Sequence, residues 1–406
     1  MNLPNLAEGV AIERAVTLLE ELCAISSASG DADGIRSCAG RLGAELEAAG
    51  FTVAFDDEPD AAGRVQPVMV ARTGSEATGH LLLVGHLDTV LPAVEPRRLD
   101  DRLVGTGALD MKGGFAALIG ALSARGAGGS AVPDGLTLVA VPDEEVGGPI
   151  SERAMRRWGS GARAVLVLEP GQAIGDGETI VTGRRGLSVW RLEASGRAAH
   201  SGLAYAEGRS ALAAAAEWAA AVQGLSEAGT GPTVNVGRII GGDSEFVREL
   251  GEEHRFIGTS QRLNVVPDRC LAEGEARYLR PEDRAPVLAE MRRLADASAA
   301  RWGVEMSFQE VERILPVPPT STGAALAERL VAAAAADGWT LELEPDRGGV
   351  SFPNFLPEPA AVPVLDGLGP VGEGMHTREE YVSLQSLERR IRLIAQLLGM
   401  LTETFS

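Results

Sequence analysis

Leu81-Leu82-Leu83-Val84-Gly85-His86-Leu87-Asp88-Thr89 sets four apolar residues against a glycine, with a histidine and an aspartate just beyond it. A short apolar run with that boundary predicts a strand buried on both faces, as in a parallel sheet covered by helices. Open parallel sheets gather ligands at the carboxyl ends of their strands, which is where His86 and Asp88 fall. Two apart on extended backbone, they point to one side. That suits a metal-ligating imidazole whose second nitrogen is oriented by a carboxylate. The segment alone reads equally well as a satisfied histidine at a strand end, so the rest of the chain must decide.

Two further apolar runs end in the same way. Leu136 to Val141 leads into Pro142-Asp143-Glu144-Glu145-Val146-Gly147-Gly148, and Ala164 to Leu168 leads into Glu169-Pro170-Gly171. Three buried strands ending in His/Asp, Glu-Glu and Glu are hard to explain by packing. Between the first two runs lies a glycine-rich turn, Gly105-Thr106-Gly107-Ala108-Leu109-Asp110-Met111-Lys112-Gly113-Gly114, ahead of an apolar helix from Phe115 to about Ala124. Upstream, Ile12, Ala15, Leu19 and Leu22 share one helical face, and Ile35, Ala39, Leu42 and Leu46 another, with Gly50 placed as a C-cap. Strands are expected near 51–55 and 65–72, and Ser151 is expected to cap a short helix to Trp158. Strand alternating with helix predicts an α/β domain with a mostly parallel, helix-covered sheet.

The pattern changes near Gly183. Leu187 to Glu193 alternates with period two, and a helix follows from Arg209 to about Leu225. Strands at 232–240 and 270–279, a helix at 282–300 and a strand at 303–312 complete a split, ferredoxin-like α+β arrangement. Residues 185–313 are therefore expected to be an inserted lid and dimerisation domain, with 1–184 and 314–406 forming the catalytic domain. The charged stretch Asp243 to Arg262 reads as a solvated loop or short surface helix, and its His254 is not expected to be a ligand. Beyond Pro319 come a helix from Gly323 to Asp337, a strand from Thr340 to Leu343, and a closing helix with Leu384, Leu387, Ile391, Ile394 and Leu398 on one face.

Size and charge narrow the function. The 406 residues exceed the roughly 250–300 that one core supports, so two domains are expected. Basic residues number 37 against 57 acidic, a formal charge of -20, with no basic cluster. Nucleic acid and anionic membranes are thus poor partners, and an anionic substrate would need a local arginine. The 3 cysteines (Cys23, Cys38, Cys270) form neither a zinc spacing nor a disulfide framework. With no leader-like pattern after Met1 and no apolar segment near the ~20 residues of a membrane span, a reducing, cytoplasmic setting is expected.

Hydrolysis of an amide at neutral pH needs an activated water, a polarised carbonyl and a base. Two metals bridged by a carboxylate supply the first two. The candidate ligands are His86, Asp110, Glu145, Glu169 and His376, with Glu144 as base, a mixture of imidazole and carboxylate that zinc accepts. Each has a plainer reading: Asp110 as a helix N-cap, Glu144 and Glu145 as surface charge, Glu169 as a turn residue. His376 in a glycine-rich loop is harder to set aside, and the joint pattern favours the metal site. A dinucleotide fingerprint at Gly105 fails because the third glycine position is Asp110, and Lys112 lacks the phosphate-loop spacing.

These segments resemble the two-zinc aminoacylase/carboxypeptidase metallopeptidase family, and its glutamate carboxypeptidase branch in particular. Gly196-Arg197-Ala198-Ala199-His200-Ser201-Gly202 and His376-Thr377-Arg378-Glu379-Glu380-Tyr381 match it as well, so the motifs run in order over nearly the whole chain. The resemblance implies two Zn2+ per subunit, with Co2+ or Mn2+ possible. It makes Asp110 the bridge, His86 and Glu169 the rest of one site, and Glu145 and His376 the rest of the other. Asp88 would orient His86, and Glu144 would move a proton from water to the leaving amine. His200 would reach the substrate carbonyl, often in the partner subunit's site, Arg277 would hold the substrate carboxylate, a role that Arg280 could also fill, and Asn264 would lie near the same pocket. The implied reaction cleaves the amide of a peptide or N-acyl amino acid with a free carboxylate, in a homodimer formed through the lid. A biosynthetic deacylase of the acetylornithine or succinyl-diaminopimelate type, or an inactive metal-binding homologue, are the alternatives; the intact Glu144 speaks against the latter. Two departures stand out. Phe352-Pro353 follows the Gly348–Ser351 turn where this branch has Asp, which implies a more apolar pocket, and the 243–262 stretch is longer than the family's hairpin.

Overall fold

The computed structural model describes residues 3–74, 79–130, 132–227, 229, 231–253 and 263–405. The chain divides into two compact units, Met1–Gly183 with Pro318–Arg347 and Ser351–Ser406, and Arg184–Val317 with Gly348–Val350.

The first unit is built on a six-stranded sheet in the order Thr52–Pro59, Val65–Arg72, Leu136–Val141, Leu81–His86, Ala164–Val167, Val364–Leu365. Leu81–His86 runs parallel to both of its neighbours, Val364–Leu365 extends the parallel set, and the two strands nearest the N-terminus add an antiparallel edge. Every residue of the three central strands is buried, which is why their sequences are continuous apolar runs rather than alternating ones. The helix Gly113–Ala127 lies between the helices Leu3–Ala24 and Leu384–Phe405 and contacts both. It closes tightly on the sheet because Gly114 has no side chain: a Cβ there would collide with the carbonyl oxygen of Leu168. Arg390 of the last helix is fully buried, and donates to Glu178 (2.9 Å) and to the carbonyls of Gly367 (3.1 Å) and Thr179 (2.9 Å). Burial of a guanidinium is costly unless it is paired and hydrogen-bonded in this way.

Two small sheets complete this unit. The expected strand near 340 forms as Leu341–Glu344, but it pairs parallel with Gly177–Val181 outside the main sheet. A second sheet, not foreseen from sequence, joins Gly372–Glu373, Tyr381–Ser383, Arg102–Val104 and Arg97–Leu99. It ties the loop carrying His376 to the turn carrying Asp110.

The second unit is a four-stranded antiparallel sheet in the order Thr233–Gly242, Arg269–Tyr278, Gly186–Ser195, Glu305–Ile314. The helices Ala211–Gln223 and Arg284–Trp302 pack against each other, and Trp190 and Trp218 meet edge to face at 5.2 Å in the core. The charged stretch opens as the helix Ser244–Glu253, its first turn capped by Asp243, which accepts from the N–H groups of Glu245 (3.1 Å) and Phe246 (3.3 Å). His254 lies outside the described residues.

Candidate metal centre

His86 ends the central strand and is 1% exposed. Its Nδ1 lies 2.9 Å from the backbone carbonyl of Asp88 and 3.5 Å from the carboxylate Oδ1. The nearer partner is thus the carbonyl rather than the carboxylate expected from sequence. The Asp88 carboxylate, fully buried, accepts from the Ser29 hydroxyl (2.8 Å) and from the N–H groups of Glu144 (3.1 Å) and Glu145 (3.3 Å). Asp88 therefore couples the end of one strand to the glutamate pair at the end of the next.

Glu144 and Glu145 sit on a short 3-10 turn, Glu144–Val146, not on extended chain. The helix behind it, Pro149–Trp158, is capped differently from the expectation. Asp143, not Ser151, serves its first turn, accepting from the N–H groups of Ile150 (2.7 Å) and Ser151 (3.0 Å), while the Ser151 hydroxyl donates back to it (2.6 Å). Two carboxylate oxygens reach two orphan N–H groups, which one hydroxyl inside the helix cannot do.

Asp110 lies in a turn entered through Gly107 at φ 76, and the Asp110–Met111 peptide is cis. It does not cap the following helix. Its Oδ1 is 3.0 Å from His86 Nε2, and its Oδ2 is 3.4 Å from His376 Nε2. His376, at φ 63 in the left-handed region that few non-glycine residues adopt, also places Nε2 3.1 Å from Glu145 Oε2. Glu169 Oε1 is 3.8 Å from His86 Nε2. Ligand atoms of His86, Asp110 and Glu145 all fall within 4.8 Å of one another. The five expected ligands thus come together from five separate segments, with Asp110 between the two imidazoles.

The electrostatics fit a cation. Burial, then the Asp110 charge, raises Glu145 to about 7 and holds Glu169 well above the usual carboxylate range. Burial opposes charge on His86, but hydrogen bonds to Asp110 and Asp88 outweigh it and raise the imidazole well above its ordinary value. Burial likewise opposes ionisation of Asp110, yet the two histidines bring it below its ordinary value. Two imidazoles and a cluster of mutually repelling carboxylates are a donor set that suits a metal cation.

Phe352 is buried, its ring 6.3 Å from that of His86 at an interplanar angle of 37°. It backs the histidine instead of lining an open apolar pocket. Ser29 and Asp143 belong to the support of the site and were not singled out from sequence. Asp143 stood inside a quoted motif, whereas nothing near Ser29 in the chain signals its partner.

In the second unit, His200 and Asn264 are neighbours, with Asn264 Nδ2 3.4 Å from His200 Nε2, and His200 Nδ1 accepts from the N–H groups of Gly202 (3.1 Å) and Leu203 (3.2 Å). Arg277 is bidentate to Glu275 (2.7 and 3.0 Å) and also donates to the Gly348 carbonyl.

A mostly parallel-sheet unit carrying this donor set, its chain interrupted by an antiparallel α+β unit, is that of a metal-dependent amide hydrolase. The chain belongs to peptidase family M20/M25/M40, whose model matches residues 82–399. It is 28% identical over 392 residues to carboxypeptidase G2 of Pseudomonas sp. (strain RS-16), covering 94% of this chain and 88% of that one. It is also 28% identical to N-acetyl-L-citrulline deacetylase of Xanthomonas campestris pv. campestris, covering 86% and 88%. The fold matches aminopeptidase PepT of Bacillus cereus ATCC 10987 with a TM-score of 0.73 at 22% identity, covering 96% and 99%. Among the described residues no helix is long and apolar enough to cross a membrane.

Proposed function

We propose that the chain is a zinc-dependent hydrolase cleaving the amide of peptides or N-acyl amino acids that carry a free carboxylate. The observation that carries this reading is Asp110, whose two oxygens face His86 and His376 (3.0 and 3.4 Å), with Glu169 beside the first histidine and Glu145 beside the second. His86, Asp110 and Glu169 would hold one ion, and Asp110, Glu145 and His376 the other. When bound, such a pair polarises the scissile carbonyl and makes water a nucleophile near neutral pH.

Glu144 is the general base: its N–H is fixed by Asp88 (3.1 Å), and its carboxylate takes a proton from the attacking water and returns it to the leaving amine nitrogen. His86 keeps its ring orientation through the Asp88 carbonyl. Arg277, in a bidentate carboxylate pair with Glu275, would exchange that partner for a substrate carboxylate. His200 and Asn264, placed together, would address the substrate carbonyl and its carboxylate. With its three cysteines free and buried, the chain suits a reducing cytoplasm, and from the family resemblance we assign a homodimer formed through the second unit.

The test pairs elemental analysis with release of free amino acid from a panel of dipeptides and N-acyl amino acids. About two metal ions per chain with turnover is the expected result. No bound metal after reconstitution with zinc or cobalt would overturn the reading.

A further inference from the structure

The turn that presents Asp110 has three N–H groups with one shared acceptor. The Glu380 carboxylate, 3% exposed, accepts from Gly107 through Oε2 (2.9 Å) and from Leu109 and Asp110 through Oε1 (2.9 Å each). The Glu380 backbone carbonyl takes a fourth, the Gly105 N–H at 3.0 Å, and the next residue, Tyr381, pairs with Val104 in the small antiparallel sheet. Four residues before Glu380 is His376, held at φ 63. One side chain thus grips the backbone of the aspartate that lies between the two histidines, and sits in the same short loop as the second of them.

We infer that Glu380 is a positioning residue for the metal pair, its carboxylate fixing the spacing of Asp110 and His376. The inference rests on the metal-centre reading above. Three charge-assisted bonds from a buried carboxylate to one turn define its path more strongly than neutral contacts would. A plain structural cap would make the same bonds, so the distinction is what their loss does to the metal. A glutamine keeps the shape but replaces one oxygen with an N–H donor. In either orientation that donor faces at least one of the three N–H groups, and the turn must shift to relieve it. A shift there moves Asp110 relative to His376. Partners that orient ligands in this way typically carry about 10–100-fold in metal affinity.

The experiment titrates the metal-free full-length wild type, Glu380→Gln, Glu380→Asp and Glu379→Gln with cobalt(II) against a chromophoric chelator. Thermal midpoints and the visible spectrum of the bound cobalt are recorded alongside. Glu379 is the control, since its side chain is 80% exposed and, among the described residues, pairs with Arg97 on the surface. Expected is wild-type behaviour from Glu379→Gln, and from Glu380→Gln a loss of about 10–100-fold in affinity with an altered cobalt spectrum. Should Glu380→Gln fail to fold, Glu380→Asp, which keeps both oxygens on a shorter stem, is judged by the same readouts. Folded Glu380 variants with wild-type affinity and spectrum, whatever their thermal midpoint, would overturn the inference and leave the metal centre standing. A wild type that takes up no metal would refute the metal centre and this inference with it.

Discussion

The buried carboxylates make the metal-free protein sensitive to pH in a direction that can be worked out in advance. Glu145 has an ordinary value of 4.5 and stands at about 7 in the fold, through burial first and the Asp110 charge second. The folded state therefore holds a proton that the unfolded chain has released, and stability falls as pH rises from about 4.5 to about 7. Glu169 and His86 are raised as well, so they push the same way, while the lowered Asp110 acts only in the acid range below its ordinary value of 3.8. At 1.36 kcal/mol per pH unit the Glu145 displacement has a ceiling of ~3 kcal/mol. Solvent reaches part of this site, so we take ~1–2 kcal/mol after screening. Glu145→Gln removes the titrating group but keeps the shape. Urea unfolding of metal-free wild type and variant at pH 5 and pH 8 is the assay. The wild type should lose more stability than Glu145→Gln over that interval, and at pH 8 the variant should be the more stable of the two. Equal losses in both proteins would refute the reasoning, since Glu145 would then carry no excess of protons in the fold. Metal addition should act oppositely, stabilising the wild type more at pH 8 than at pH 5, because the ligands must be deprotonated to bind.

Glu144→Gln should bind metal as the wild type does yet lose about 10²–10⁴-fold in kcat, because only proton transfer is removed; a normal kcat in stopped assays would assign the base elsewhere. Arg277→Ala should raise KM for substrates with a free carboxylate by about tenfold or more and leave their carboxamides nearly unchanged. An equal rise for both would mean that another group reads the carboxylate. Phe352→Ala, which empties a fully packed position behind His86, should cost about 3–5 kcal/mol in metal-free stability, whereas Phe352→Leu should cost far less. Calorimetry of the two variants separates them.

What the sequence displayed was whatever depends on short-range pattern. Leu81–His86, Leu136–Val141 and Ala164–Val167 could be read as buried parallel strands because burial on both faces forces an unbroken apolar run. Their polar ends then marked one edge of the sheet. The period-two alternation of Leu187–Glu193 likewise announced a different kind of sheet. Residues 97–104 and 372–383 gave no such sign: their strands are two or three residues long, too short for any period to show. Strand pairing was no more visible than strand length, so Leu341–Glu344 was located but its partner was not.

The candidate ligands were legible for a further reason that their supports do not share. A metal ligand must be one of a few residue types, and His86, Glu145, Glu169 and His376 stood out beside glycines and at strand ends, where packing has little use for an imidazole or a carboxylate. The groups that orient them are ordinary acceptors whose partners lie far away in the chain. Ser29 meets Asp88 across 59 residues and Glu380 meets Gly107 across 273, and each side chain, taken in its own neighbourhood, looks like any serine or glutamate. Even Asp88, correctly placed beside the histidine, has its carboxylate occupied mainly by Ser29, Glu144 and Glu145 and leaves its carbonyl to hold the imidazole. Chemical identity is a local property, so the candidate groups could be named from their own segments, although only their joint pattern favoured a metal site. Orientation is a property of pairs, and it became visible only when the chain had brought the ends of its strands together.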